Sequence, residues 1–278
     1  MPELPEVETI ARGLDRRIRG DVIASVWLGS HPEPLKSSAR EIEAALAGSR
    51  IAEVRRVGKH IVFDLEANGS SRKKSQTATK RQWIVHLGMS GRMVVATPEE
   101  PVAKHTHAIA TLTSGRELRF VDPRRFGRLS VTAEQSFAGP GTEPLTIDAE
   151  AFASLFRKRK TPIKAALLNQ KLLHGVGNIY ADESLFRAGI RPRRRAGELT
   201  RSELERLRKS LQAVLREAIK LGGSSVSDYV DAEGKEGFFQ LRHRVYLRTG
   251  KPCLVCKTPI KRIVLGGRGT HYCPKCQR

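Results

Sequence analysis

The sequence has no long apolar run, few acidic residues, and cysteine only near its C-terminal end. Its 278 residues contain no stretch of 18 apolar residues, so we expect no helix that crosses a membrane. The first residues also lack a basic segment followed by an apolar one, which argues against a signal peptide. We therefore expect a cytosolic protein that is long enough for two domains.

Acidic side chains are strongly outnumbered by basic ones. Lys and Arg total 50 against 29 Asp and Glu, the formal net charge is +21, and no acidic residue follows Glu236. Such an excess predicts a polyanionic partner, with nucleic acid favoured over an anionic membrane. General solubility and association with ribosomes are the alternatives at this point.

Cysteine occurs only in two CxxC pairs, separated by residues 257–272. In a cytosolic chain this spacing indicates a four-thiolate zinc site, and two disulfides or redox dithiols are the alternative. Four thiolates leave zinc no open coordination position, so we predict one structural Zn2+. Its ligands would be Cys253, Cys256, Cys273 and Cys276.

Hydrophobic periodicity changes twice along the chain. Helical patterns cover residues 5–19 and 37–46, strand patterns run from Arg50 to about Val131, and helical patterns return after residue 148, among them 162–171. Capping boxes are predicted for Ser38 with Glu41 and for Thr200 with Glu203. Short strands with glycine-bearing turns and no crossover helices indicate an antiparallel sandwich. The predicted domains are 1–137, a Gly- and Pro-rich hinge at 138–148, 149–240 and 241–278.

Two polar segments do not fit the helix and strand patterns. Residues 68–81 are basic and rich in Ser and Thr, which indicates a surface loop that either touches nucleic acid or is simply solvated. Residues 222–240 form a long polar segment, and long loops of this kind often act as lids.

Two glycine-bearing turns carry candidate phosphate contacts. Gly175 and Gly177 precede Asn178 at a predicted helix start, where backbone N–H groups and the side-chain amide would bind phosphate. An ordinary helix hairpin explains this pattern equally well. Arg268 lies in a glycine-rich tip between the cysteine pairs, where it meets either a phosphate or solvent.

Two further turns carry candidate base contacts. Arg124 and Phe126 follow a turn at Asp122, and such residues can read a base edge or wedge between bases. Phe126 and Met89 are alternatively core residues of the sandwich. Lys59, which follows Gly58, is a surface charge unless its context shows otherwise.

These segments together resemble one family, the bacterial formamidopyrimidine-DNA glycosylases, over nearly the whole chain. The resemblance depends on the joint order of MPELPEVET, HLGMSG, KHTH, DPRRFG, GVGNIYADESLF and GRGTHYCPKCQR. The related endonuclease VIII branch, which favours oxidised pyrimidines, usually has Gly in place of Leu4. The segment LPEVET therefore favours the branch that acts on oxidised purines.

The resemblance implies an α+β fold: an antiparallel β-sandwich flanked by helices, then a helix-two-turn-helix domain that ends in a β-hairpin zinc finger. It implies that Pro2 is the nucleophile, Glu3 the acid/base beside it and Lys59 a further general acid. Arg268 would hold the phosphates at the lesion and help the last elimination. The implied DNA contacts are His105, Arg124, Lys160, Asn178, Met89 and Phe126.

More specifically, Met89, Arg124 and Phe126 would fill the gap left by the flipped base, and residues 224–239 would close over that base. The implied partner is double-stranded DNA with an oxidised base or an abasic site, bound by a monomer. The implied location is the bacterial cytoplasm, at the nucleoid.

The chemistry of the N-terminus is consistent with this assignment. Removal of Met1 would expose the secondary amine of Pro2, and an α-amino group with a pKa near ~8 has a usable neutral fraction at pH 7. Attack on the sugar C1′ would give a cationic iminium, because a secondary amine cannot form a neutral imine. A proline-started helix with acids at its dipole explains Pro5 and the later glutamates, but it does not explain Pro2 and Glu3.

Two other functions remain open from the sequence. A non-enzymatic zinc-finger protein would keep the basic surface and the finger, but its N-terminal amine would be dispensable. The same chemistry directed at oxidised pyrimidines would differ only in the preferred lesion.

Overall fold

The computed structural model describes residues 1–67, 81–132, 136–225 and 236–278. They form two compact units, of which the first is Met1–Ala138 with Ser224–Gly237 and the second is Gly139–Gly223 with Phe238–Arg278. The basic segment 68–81, apart from Arg81, lies outside the described residues, as do residues 226–235 of the segment expected to cover a flipped base. No described helix is both long enough and apolar enough to span a bilayer.

The first unit begins with a helix and continues mainly as strands. Its elements are α1 (Leu4–Ile18), β1 (Ile23–Leu28), α2 (Ala39–Leu46), β2 (Ser49–Val57), β3 (His60–Ala67), β4 (Arg81–His86), β5 (Arg92–Ala96), β6 (Thr106–Leu112), β7 (Glu117–Val121) and β8 (Arg128–Thr132). Among the described residues they form two four-stranded antiparallel sheets, with the orders β2-β3-β4-β8 and β1-β6-β7-β5. The predicted sandwich is confirmed.

The core of the first unit lies between the two sheets. Phe63 and Trp83 from one sheet and Leu118 and Phe120 from the other belong to one buried apolar cluster. The apolar face of α1 closes this cluster, since the helix contacts β2 and β3 of one sheet and β5 of the other. The helix that directly follows the N-terminal residues is therefore anchored in the core.

One strand was not predicted from the sequence. β1 pairs with β6 at the edge of its sheet and leaves Trp27 half exposed. Its mixed burial gives no clean alternation of polar and apolar residues, so the period-2 signal is weak.

The second unit is helical and ends in a hairpin. Its elements are α3 (Ala149–Phe156), α4 (Ile163–Leu167), α5 (Asn178–Ala188), α6 (Arg201–Lys220), β9 (Lys261–Leu265) and β10 (Arg268–Tyr272). The predicted capping box of α6 is present, because Thr200 Oγ1 accepts the Glu203 N–H and the Glu203 carboxylate accepts the Thr200 N–H.

The helix expected over residues 162–171 is shorter than predicted. It ends at Leu167, and Leu172 and Leu173 are buried in the turn that follows rather than on a helix face. Side chains bond to the backbone of this turn: Asn169 Oδ1 accepts the Lys171 N–H, and Gln170 Nε2 donates to backbone carbonyls. Such local side-chain bonds compete with helix formation.

Candidate functional site

The N-terminus of the first unit is fixed in place rather than frayed. Pro2 is buried, and Glu3 and Glu6 are 5% and 2% exposed. The Glu6 carboxylate accepts the Glu3 N–H at 2.8 Å through Oε2 and the Ser224 N–H at 2.7 Å through Oε1. This acid thus holds both the start of the chain and the start of the segment 224–237.

The terminal amine lies among charges of both signs. Burial lowers the pKa of the Met1 amine below its usual value, and the positive charges of Lys59 and Arg124 lower it further. Glu3 and Glu6 act in the opposite direction without reversing the shift. An amine with a depressed pKa has a larger neutral fraction near pH 7, and only the neutral amine is a nucleophile.

Lys59 lies in the tight turn between β2 and β3. Val57 pairs with His60, so Gly58 and Lys59 are the turn residues, and Gly58 has a positive φ of 60°. Lys59 is only 8% exposed and contributes to the electrostatics of the terminal amine. It is therefore not the solvated surface lysine that its sequence context alone would suggest.

Arg124 and Phe126 are displayed on the turn between β7 and β8. Phe126 is 53% exposed, and the guanidinium carbon of Arg124 lies 5.0 Å from the centroid of its ring. Arg125 takes φ of 56° and turns to Glu33, 2.9 Å away, which separates it from Arg124. The alternative that Phe126 packs inside the sandwich is wrong.

Met89 lies on a second turn that touches the first. Its side chain is 44% exposed, so it is not a core residue. A Cβ on Gly88 would lie 2.5 Å from the carbonyl carbon of Phe126, and Gly88 has φ of 63°. Glycine is needed here for both reasons, and the two turns are in backbone contact.

His105 also belongs to this edge of the first unit. Its side chain is exposed, and its carbonyl accepts the Asp122 N–H at 2.9 Å. The first unit thus holds one set of the expected site residues: Pro2, Glu3, Lys59, Met89, His105, Arg124 and Phe126.

The second unit holds the remaining expected contacts. Arg268 is exposed at the tip of the β9–β10 hairpin, after Gly266 and Gly267, whose φ values are 55° and 72°. Two consecutive positive φ angles are typical of a type I′ turn, which glycine suits best. Lys160 is exposed in the loop before α4.

Asn178 opens α5 as expected, but its amide faces the finger. Its Nδ2 donates to the Gly269 carbonyl at 3.0 Å, beside the Lys164 ammonium, which donates to the same oxygen at 2.9 Å. These bonds hold the backbone of the residue that follows Arg268. The start of α5 and the arginine tip are therefore built as one local structure within this unit.

A buried ion pair in this region was missed by the sequence analysis. Lys164 Nζ lies 2.7 Å from Asp182 Oδ1 with both side chains fully buried, and Asp182 Oδ2 accepts the backbone N–H of His271 at 2.8 Å. Lys and Asp in amphipathic helices usually indicate solvent-facing positions, so no local signal distinguishes this pair.

The four cysteines converge at the base of the finger. All are free thiols whose sulfurs lie within 4.8 Å of one another, with 3.9 Å between Cys253 and Cys276 and 3.4 Å between Cys256 and Cys273. Sulfurs bound tetrahedrally to zinc at about 2.3 Å are separated by roughly 3.8 Å, so the set fits one zinc ion. The disulfide alternative is not supported.

This basic chain exposes arginine and aromatic side chains on its turns, and it carries a further arginine on the hairpin beside the four cysteines. These features are typical of zinc-finger proteins that bind nucleic acid. The family models that match this chain are more specific. They are the formamidopyrimidine-DNA glycosylase N-terminal domain at residues 1–129, the formamidopyrimidine-DNA glycosylase H2TH domain at residues 139–230, and the zinc finger found in FPG and IleRS at residues 250–278. The chain belongs to the formamidopyrimidine-DNA glycosylase family.

Individual relatives agree over the full length. The formamidopyrimidine-DNA glycosylase of Solibacter usitatus is 44% identical, with 100% of both chains covered. Among solved structures, a Lactococcus lactis FPG mutant bound to DNA containing Fapy-dG has a TM-score of 0.88 at 34% identity, with 100% of both chains covered. The L. lactis Fpg bound to DNA with an abasic site has a TM-score of 0.87 at 35% identity, with 99% of both chains covered.

Proposed function

We propose that this chain is a DNA glycosylase and AP lyase of base-excision repair, which removes oxidised purines such as 8-oxoguanine and formamidopyrimidines from duplex DNA and then nicks the strand. The observation that carries the proposal is the buried N-terminus, where Pro2 and Glu3 are buried and burial lowers the pKa of the adjoining Met1 amine. Relatives bound to Fapy-dG and abasic DNA support the substrate class.

The first step joins the protein to the sugar. With Met1 removed, the neutral amine of Pro2 attacks C1′, and the bond between C1′ and the base breaks with its electron pair going to the base. Lys59 supplies a proton to the departing base, and Glu3 takes the amine proton and passes it to O4′ as the C1′–O4′ bond breaks with its electron pair going to that oxygen. The product is an iminium between Pro2 and C1′.

The second stage cuts the strand. The iminium withdraws electrons from C2′, a base removes a C2′ proton, and the 3′-phosphate leaves by β-elimination. A further elimination releases the 5′-phosphate, after which water hydrolyses the iminium and frees the enzyme. Arg268 at the hairpin tip holds the phosphates and stabilises the charge that develops on them as they leave.

The exposed turns of the first unit provide the wedge. Unstacking a base costs a few kcal/mol, and apolar or planar side chains inserted in its place offset that loss. Met89, Phe126 and Arg124 are exposed and fill the gap. His105 and Lys160, and Asn178 through its backbone N–H at the start of α5, contact the phosphate backbone, which fixes register without reading sequence.

Cys253, Cys256, Cys273 and Cys276 would hold one zinc ion, which would stabilise the finger and take no part in the reaction, because four thiolates leave no open coordination position. We also propose the domain division 1–137, 138–148, 149–240 and 241–278, a monomer as the active form, and a location in the cytoplasm at the nucleoid. Residues 224–239 would cover the flipped base.

The proposed nucleophile is tested by moving a tag. A hexahistidine tag at the N-terminus replaces the Pro2 amine with a peptide bond, whereas the same tag at the C-terminus leaves it free. Borohydride should trap the C-terminally tagged protein on duplex DNA with 8-oxoguanine or an abasic site, and the N-terminally tagged protein should give no adduct. Binding to the same duplex, measured by fluorescence anisotropy, should be similar for both.

Two outcomes would contradict the proposal in different ways. If neither form is trapped while both bind DNA, the chain is a binding protein and not a lyase. If both forms are trapped equally, the nucleophile is not Pro2. A panel of oxidised purines and pyrimidines in the same assay then ranks the lesions.

A further inference from the structure

Asp122 occupies a central position among the DNA-facing turns of the first unit. It is fully buried at the end of β7, and its own N–H donates to the carbonyl of His105. Its carboxylate accepts the Ser90 hydroxyl at 2.6 Å, the Arg124 N–H at 3.2 Å and the Gly127 N–H at 2.7 Å. One side chain thus bonds to both turns that carry the exposed wedge residues.

The bonds made by this carboxylate are of two kinds. Those from Arg124 and Gly127 lie within the turn that displays Phe126 and shape that turn alone. The bond from Ser90 crosses to the other turn and fixes the residue that follows Met89. Charge-assisted bonds of this kind are short and strong, so the two turns are held in one geometry.

We propose that Asp122 is a positioning residue that makes the Met89 turn and the Arg124–Phe126 turn act as one wedge. The proposal depends on the proposed DNA-glycosylase function. Inserting the three side chains together requires the two turns to keep a fixed separation, because base stacking in the duplex opposes the insertion. If the Ser90 link is missing, each turn yields separately and the flipped state is less populated, although the chemical groups at Pro2 are untouched.

The test uses the hydroxyl that crosses between the turns. Ser90→Val removes the hydroxyl and Ser90→Thr keeps it. Because Val and Thr have nearly the same side-chain volume, the two variants differ only in the bond to Asp122. Single-turnover excision of 8-oxoguanine from duplex DNA should fall about tenfold or more in Ser90→Val and remain near wild type in Ser90→Thr. β-Elimination on a single-stranded oligonucleotide with an abasic site should stay within about twofold in both, because no stacked base has to be displaced.

A second variant changes Asp122 itself. In Asp122→Asn, either orientation of the carboxamide places its NH2 group against a backbone N–H, of Arg124 or of Gly127. It should show the same selective loss on duplex substrate. The matched control is Ser114→Ala, which breaks a comparable bond from a serine hydroxyl to Asp21 at 3.0 Å, in the hairpin turn at the other end of β7.

The outcomes are distinguishable. Equal duplex excision by Ser90→Val and Ser90→Thr overturns the proposal, and so does a parallel loss on both substrates, since that indicates general damage. If wild-type protein itself excises no lesion, the proposed function fails. If wild-type protein excises normally and the Ser90 variants match it, only the coupling of the turns is disproved.

Discussion

At the scale of single residues, the N-terminal amine is governed by opposed charges. Burial and Lys59 depress its pKa, whereas Glu3 raises it. We expect the same charges to act on the Pro2 amine once Met1 is removed, because its nitrogen belongs to the next residue, and that amine must be neutral to attack. The lower limb of the pH–rate profile should therefore report its pKa.

We predict that Lys59→Gln and Glu3→Gln move this limb in opposite directions. Loss of the Lys59 charge removes a repulsion from the protonated amine, so its pKa rises and the limb moves to higher pH. Loss of the Glu3 charge removes an attraction, so the limb moves to lower pH. The measurement is the single-turnover rate of borohydride trapping on an abasic duplex from pH 5 to 9.

The maximal rate can fall in both variants, because both residues are proposed to transfer protons. The quantity to compare is therefore the pH at which the lower limb of the pH–rate profile lies. Arg12→Gln serves as the control, since that exposed side chain pairs with Glu8 and is not among the charges that shift the amine pKa. Limbs that shift in the same direction would contradict the assignment.

The sequence predicted residue roles unevenly. Pro2 and Glu3 were identified because they precede the predicted helix start. In the structure, however, Glu3 is the N-cap of α1 and forms a capping box with Glu6, so this helix does use Glu3. The burial of Lys59 and the bonds of Asp122 were not predictable, because a lone lysine and an Asp-Pro turn are typical of the surface. Two bonds to the Asp122 carboxylate lie within its own turn, but the bond from Ser90 comes from 32 residues away, so no local pattern encodes it.

At the scale of elements, helix ends were predicted well and one buried interaction was not. Ser38 with Glu41 and Thr200 with Glu203 form the expected capping boxes, which are local signals. The end of α4, by contrast, was predicted too late, because the apolar pattern of the sequence continues into the turn where the helix has already ended. The fully buried pair of Lys164 and Asp182, on α4 and α5, then joins these helices to β10.

We predict that Lys164→Met strongly destabilises the second unit. It leaves Asp182 charged and buried without its cation, which typically costs about 3–5 kcal/mol. Lys209→Met is the matched control, because Lys209 forms an exposed i,i+4 pair with Glu205, and its loss should change the free energy of unfolding by less than about 1 kcal/mol.

The free energy of unfolding is measured by urea denaturation of the zinc-loaded protein, with the tryptophans of the first unit and far-UV circular dichroism followed separately. A loss that is the same for both variants would show that the buried pair contributes no more than a surface pair.

At the scale of the whole molecule, the net charge of +21 dominates long-range behaviour. A chain of this charge should bind undamaged duplex through counterion release, and the chemical step, which occurs at short range in a buried site, should respond weakly to salt. Raising the salt concentration should thus lower the affinity for DNA strongly while it changes the rate of the chemical step little.

We predict that raising salt from about 50 to 200 mM weakens binding to an undamaged duplex by about 10³-fold, as expected for a protein with six or more phosphate contacts. Under saturating protein, the trapping rate on abasic duplex should change by less than about twofold, because charges in a buried site are screened little by salt.

Arg268→Gln should reduce the slope of log affinity against log salt by about 1, because one phosphate contact is lost. Arg12→Gln, which removes a cation without a proposed phosphate contact, should leave the slope near its wild-type value. Equal slopes for Arg268→Gln and wild type would show that the tip of the finger does not contact a phosphate.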